Sequence, residues 1–325
     1  MTMIRCKDIA EMVGVSRQAV TAVLNNSRPN CVSPEKREEI LKIAAKYNYR
    51  PNHAAKALKT GKSNVIGIVM PPWDNPYIAE LCMALQRTLA AENYTPFFTI
   101  DNNYNPVPGN LEQLLSLQVA GMITVASSLL PDNLDIPVVS YYYDDPRFDS
   151  VCPNAKQDSQ LIIEHLKENG HKKIAYLGIL NDQRVKHLAT EAERCGLTFP
   201  EYWRIDCSEK NCEDALKQLW EYSNDLPTAL IIHNDALAFK LMRYIRKKGL
   251  RIPEDLSVIG HNNITFCRYS APALTSVSFG SAEEIADTMV KLLMEQINSP
   301  EKSRKKVLLQ SALSKRESVL DLNRN

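Results

Sequence analysis

No stretch of this 325-residue chain approaches the roughly 18 apolar residues that a membrane-crossing helix needs. The run from Met1 to Asp8 also lacks the apolar stretch of an export signal. A soluble, cytosolic protein is therefore expected. Cysteine occurs eight times, at positions 6, 31, 82, 152, 195, 207, 212 and 267, but never as CxxC or in a cluster with histidine. The closest pair, Cys207 and Cys212, has four residues between them, so buried or idle thiols are a plainer reading than disulfides or structural zinc. A GxGxxG loop, a P-loop and a nucleophile elbow are missing too. No enzyme, cofactor or metal is expected on these grounds. What is present is a composition of 44% hydrophobic and 24% charged residues. Such a chain can build a large core and, at this length, two or three compact units.

A formal net charge of +1 conceals an asymmetry. Residues 1 to 63 hold 12 Lys and Arg against 5 Asp and Glu, whereas the remainder holds 27 against 33. A small basic module thus precedes a larger acidic one. That is the distribution expected of a polyanion-binding head on a soluble body, because each neutralised phosphate releases condensed counterions. A solvated basic face with no partner would show the same count.

Within the head, Lys7 to Val13 has a helical pattern that stops at Gly14, Val15 turns inward, and Ser16 is placed to cap the next helix. That helix, Arg17 to Leu24, puts Val20, Val23 and Leu24 on its core side and Arg17, Gln18 and Thr21 on the other. A third helix starts at Pro34 after Ser33, carries Ile40, Ile43 and Ala44 at helical spacing, and ends near Tyr47-Asn48-Tyr49. Two short helices joined through a glycine turn and braced by a third describe a helix-turn-helix. The second helix would enter the major groove, where Arg suits guanine and Gln suits adenine as bidentate partners, with Ser16 on phosphate. An ordinary helical domain with a polar face is the plainer alternative.

The ordered series Asp8-Ile9-Ala10, Gly14-Val15-Ser16, Val20, Val23-Leu24-Asn25, Val32-Ser33, Tyr49-Arg50-Pro51-Asn52, Ala55 and Leu58 resembles the head of the lac-repressor (LacI/GalR) family of bacterial transcription regulators. The chain departs from that pattern in three places. Arg5 stands where the family usually has a capping Thr, Ala22 replaces a common Arg beside the base-reading face, and the stretch from Asn25 to Val32 is about two residues longer. The resemblance implies DNA contact through Ser16, Arg17, Gln18, Thr21, Asn25, Arg28, Asn52, Ala55, Leu58 and Lys59. Pro51 to Lys59 is an Ala-rich segment too short to hold a helix alone. In the family it folds when two copies meet in the minor groove, which makes Leu58, with Ala55 behind it, the expected apolar wedge. The division implied is a helix-turn-helix domain over 1–50, a hinge helix and linker over 51–62, and a body over 63–325.

From Asn64 onward β-branched runs alternate with helical patterns. The expected order is strand 65–70, helix 78–92, strand 96–100, helix 111–117, and strands 122–125 and 138–141. After Asp158 follow helix 161–169, strand 174–178, helices 185–195 and 212–222, strand 230–232, helix 236–248 and strand 256–259. Alternation of this kind predicts an α/β fold of two parallel, doubly wound sheets, with ligands held outside the carboxyl ends of the strands. The family resemblance runs on through Ile136-Pro137-Val138-Val139, Gly170-His171-Lys172-Lys173-Ile174, Asn234-Asp235, Gly249 to Gly260, Pro272 to Val277 and Arg316-Glu317-Ser318. It implies a two-lobed, periplasmic-binding-protein-like body with an effector cleft between the lobes.

By that resemblance Trp73, Tyr77, Tyr142, Arg184, Asn234 and Asn262 face the effector. Sugar-binding members often carry acids where Tyr142 and Asn262 stand here, so a retained Arg184 tilts the expectation toward a sugar acid or phosphate ester, with a neutral sugar close behind. Trp73 and Tyr77 packing between the lobes, Arg184 paired with an acid, or a cleft that binds nothing are the competing possibilities. Without a trailing leucine heptad a tetramer is not expected. The expected partners are a palindromic duplex operator, a small-molecule effector and a second copy of the chain, with no membrane.

Overall fold

The computed structural model describes residues 4–24, 28, 31–49, 63–71, 75–100, 110–125, 127–208, 210–221, 226–299 and 303–324. Its contacts divide the chain into two units, Met1–Asn64 and Val65–Asn325.

Among the described residues the first unit contains three helices: α1 (Cys6–Val13), α2 (Arg17–Leu24) and α3 (Pro34–Lys46). Helix α1 lacks a Thr cap, but the Asp8 carboxylate accepts the Arg5 amide at 2.8 Å and so supplies the cap from inside the first turn. Gly14, at φ 67°, ends the helix in a left-handed conformation that costs glycine little. The Ser16 hydroxyl then accepts the Ala19 amide at 3.1 Å, and Ser33 accepts that of Lys36 at 3.4 Å. Ile9, Val13, Val20, Val23, Ile40 and Ala44 close a common core. Ala22 is buried as well, at 9% exposure, so it does not stand on the solvent face of α2.

The second unit is built on two six-stranded sheets. The first contains β1 (Val65–Met70), β2 (Thr95–Ile100), β3 (Gly121–Thr124), β4 (Val138–Tyr141) and β5 (Asp149–Pro153), with helices α4 (Pro76–Ala91) and α5 (Asn110–Ser116) between strands. The second follows helix α6 (Ala155–Glu168). It contains β6 (Ile174–Gly178), β7 (Arg204–Asp206), β8 (Ala229–Ile232), β9 (Ser257–His261) and β10 (Thr275–Ser278), with helices α7 (Gln183–Cys195), α8 (Cys212–Glu221) and α9 (Asp235–Lys247). Helix α10 (Ala282–Asn298) then packs against α4, β11 (Lys306–Leu309) joins the first sheet and β12 (Ala312–Ser314) the second. The strand orders are β11-β5-β4-β3-β1-β2 and β12-β10-β9-β8-β6-β7, parallel throughout except for β12 against β10. The chain therefore passes between the lobes near Asn154, Phe279 and Gln310, and the carboxyl ends of both sheets are served by these crossings.

Helix α6 begins six residues before the expected Leu161. Asn154 caps it by accepting the Gln157 amide at 3.2 Å, and the polar first turns hide the start from an apolar periodicity count. Helix α10 and strands β5, β7, β10, β11 and β12 add to the expected set. The strands among them are short, and four lie at or beyond a lobe crossing. Gly121 lets α10 sit close on β3, since a Cβ there would come within 2.9 Å of Leu293 Cδ1. Among the described residues no helix is long and apolar enough to cross a membrane, and no group of three or more His, Cys, Asp or Glu is placed to hold a metal ion.

Candidate functional site

Two surfaces carry the residues expected to act, one on each unit. On the first, Ser16, Arg17, Gln18 and Thr21 are all exposed along the amino end of α2. The geometry follows from α2 itself: Val20 and Val23 fix one side in the core and leave positions 17, 18 and 21 on the opposite side. The Thr21 hydroxyl donates to the Arg17 carbonyl at 3.0 Å, which holds it against its own helix. Arg28 is exposed. Asn25, Asn52, Ala55, Leu58 and Lys59 lie outside the described residues, as does Trp73.

In the second unit, Tyr142 follows β4 in the first lobe with a left-handed backbone, φ 74°, and Asn262 follows β9 in the second with φ 102°. Such backbone is uncommon away from glycine and persists where the surroundings over-determine it. The Tyr142 hydroxyl reaches across the lobes and donates to Asp182 Oδ2 at 3.2 Å. Asp182 caps α7 through the Arg184 amide at 2.8 Å, and the same carboxylate takes the Arg184 guanidinium at 2.8 Å. Arg184, 6% exposed, also donates to the His233 carbonyl at 3.1 Å and to its Nδ1 at 2.9 Å. A guanidinium has no acceptor, so His233 Nδ1 carries a lone pair and the ring is neutral. Burial, with Arg184 beside it, accordingly pushes the His233 imidazole down to about 3. Burial alone would raise Asp182, but the facing guanidinium holds its carboxyl far below the usual range.

This pairing alters the expected electrostatics. Arg184 does not stand alone in the cleft, because Asp182, two residues before it, already neutralises it. The premise that an unaccompanied guanidinium draws an acidic ligand therefore fails. The sequence does not mark Asp182 as Arg184's partner, because it stands in the ordinary place of a helix cap, while Tyr142 and Asn262 occupy the strand ends.

Asn234 and Tyr77, also expected at the cleft, make contacts within the protein. Asn234 caps α9, its Oδ1 accepting the Leu237 amide at 2.9 Å. Tyr77 is buried, its hydroxyl on that of Tyr141 and its ring edge-on to Phe279 at 5.8 Å, so it packs in the interior. Phe279, at a lobe crossing, also meets the Tyr142 ring at 6.5 Å. His261 lies between Asp158 Oδ2 at 3.1 Å and Asn262 Oδ1 at 3.0 Å. A cavity of about 10 Å³, bounded by Asp158, Ser159, Tyr176, Arg184 and His261, lies within the second lobe. A larger one of about 160 Å³ opens between the lobes, lined by Tyr142, Asp144 and Lys306 on one side and Lys156, Gln183 and His187 on the other.

The first unit thus presents an exposed helix-turn-helix face, and the second is a two-lobed α/β body with polar groups near its crossings. Comparison with known proteins gives the family. The model for bacterial regulatory proteins of the lacI family matches residues 5–52, and that for a periplasmic binding protein-like domain matches residues 163–319. The transcriptional repressor PurR of Haemophilus influenzae is 30% identical over 308 residues, covering 90% of each chain. PurR of Photobacterium profundum is 28% identical over 334 residues, covering 98% of this chain and 99% of that one. Among solved structures, the lac repressor dimer bound to operator and the anti-inducer ONPF superposes with a TM-score of 0.82 at 23% identity, covering 98% and 99% of the two chains. A ribose-bound regulator from Enterococcus faecium gives 0.69 at 24% identity, covering 79% of this chain and 99% of that one. The chain belongs to the lacI family of DNA-binding transcription regulators.

Proposed function

We propose that this chain is a transcriptional repressor of carbohydrate-metabolism genes that binds a palindromic operator as a homodimer. A small molecule held between the lobes would modulate its operator affinity. The observation that carries the reading is the exposed Arg17 and Gln18 at the amino end of α2, held by the Ser16 cap. Side chains at this position of a recognition helix reach base edges in the major groove. Ser16 and Arg28 contact the backbone, Thr21 and Asn25 flank the reading residues, and Asn52, Ala55, Leu58 and Lys59 serve the minor groove, with Leu58 as wedge.

One head reads a half-site, so the operator calls for two copies. Exposed Phe266 and Tyr269 in the second lobe, at 61% and 73%, and Met83 in the first, at 62%, offer apolar surface that a second copy would cover. Ribose- and cellobiose-bound structural neighbours support a carbohydrate-sized effector. The Asp182–Arg184 pair supports a neutral compound over a sugar acid or phosphate, because its charge is already balanced. Calorimetry against matched neutral and acidic sugars tests this. Tighter binding of the neutral members agrees with it, and tighter binding of the acidic members refutes it.

A further inference from the structure

The cavity of about 160 Å³ between the lobes is walled by Tyr142, Asp144 and Lys306 of the first lobe and by Lys156, Gln183 and His187 of the second. Asp182, Arg184 and His233 are not in its lining. The charge-balanced pair that favours a neutral effector therefore takes no part here.

Charge in this cavity is not balanced. Asp144, the one acid among the described lining residues, is held both by Arg304 and by Lys306, the latter at 2.8 Å. Two cations on one carboxylate leave an excess of one, and Lys156 adds another. Among the described residues the side chains of Lys156, Gln183 and His187 have no hydrogen-bonding or ionic partner. Helices α6 and α7 also begin at the wall, at Ala155 and Gln183, and bring the positive ends of their dipoles to it. Asn154 caps α6 as a neutral group, and Asp182, which caps α7, is taken by Arg184.

A lysine on open surface is answered by water and salt alone. Here two lysines on opposite lobes line one concave space, where the field is focused and their repulsion is felt more strongly. An anion entering the space removes that repulsion and meets donors from two ammonium groups, the Gln183 carboxamide and the His187 ring. A phosphate fits this best, being a compact dianion whose oxygens can accept from both lobes at once. A neutral sugar would leave the excess charge unanswered, and a single carboxylate would answer half of it. The volume is roughly ten times the space one water needs, which leaves room for a small group esterified to the phosphate.

We propose that this cavity is an anion site, separate from the effector's, in which a phosphate group bridges Lys306 of the first lobe and Lys156 of the second. A phosphate so held ties the lobes together independently of the effector.

Calorimetry of the full-length protein with inorganic phosphate and with glycerol 3-phosphate, at constant ionic strength set with sodium chloride, tests it. Saturable binding at one site per chain is expected, at least fivefold weaker in Lys156→Gln and in Lys306→Gln. It should be unchanged in Lys315→Gln, whose lysine pairs with Glu168 and is no part of the lining. Tighter binding of glycerol 3-phosphate assigns the site to a small phosphate ester, and equal binding assigns it to free phosphate. No saturable binding, or binding that survives in both lining variants, overturns the proposal. Lys156 and Lys306 are exposed, so both variants are expected to fold, and the wild-type titration judges the site without them. Neutral sugars are titrated alongside, and wild type that binds none of them counts against the effector reading while the phosphate result stands.

Discussion

The Tyr142 hydroxyl of the first lobe donates to the Asp182 carboxylate of the second across 3.2 Å. One hydrogen bond thus ties the strand end of one sheet to the α7 cap of the other, and through Asp182 to Arg184 and His233. Tyr142→Phe removes the donor and keeps the ring against Phe279. A stability loss of about 1–2 kcal/mol by urea unfolding is expected, since the acceptor is charged. A loss near zero would mean that water replaces the contact without cost.

Breaking the buried pair is expected to cost more. Arg184 and Asp182 have side chains only 8% and 6% exposed, and removing one member leaves the other charge buried. Asp182→Asn should therefore destabilise the body by about 3–5 kcal/mol. Arg184→Met together with Asp182→Leu should recover a large part of that loss, which chemical denaturation of the three variants would reveal.

Acid should weaken the fold chiefly through its buried histidines. His171 and His233 are pushed by burial to about 4 and about 3. Below about 6.5 the unfolded chain takes up protons at both while the folded chain does not. Asp235, pushed up by burial to about 6, works the other way, because there the folded chain takes up a proton first. Burial lowers His165 as well, so three histidines favour the unfolded state against one carboxylate favouring the folded, which leaves a net loss as pH drops from 7 to 5. His233→Gln should flatten that slope, as measured by unfolding free energy against pH. A slope that steepens would contradict the assignment.

The head was legible in the sequence because every boundary there has a local cause: Gly14 ends α1, Ser16 caps α2, and Ser33 with Pro34 starts α3. The two doubly wound arrays were legible from their apolar strands for the same reason. Helix α10 was missed although Ser281 and Glu284 form a capping box before Ile285 and Met289, a signal that would have found it. The Asp158–His261 pair was not legible, because nothing in either segment marks a contact made across 103 residues. Asp182 was hidden by its ordinary role as a cap.

Exposed apolar surface gives a test of assembly. Tyr269→Asp combined with Phe266→Asp should shift the protein to monomers in sedimentation and weaken operator binding at least tenfold, with thermal stability of the isolated chain little changed. A dimer that persists would place the interface elsewhere.

The central claim is that α2 reads sequence, and selection of bound duplexes from a random pool by the full-length protein tests it most directly. A palindrome should emerge, its affinity should fall steeply as salt rises, and Arg17→Ala should lose about 1–3 kcal/mol with relaxed choice at one symmetric base pair. Equal recovery of palindromic and scrambled duplexes, unchanged by Arg17→Ala, would contradict it.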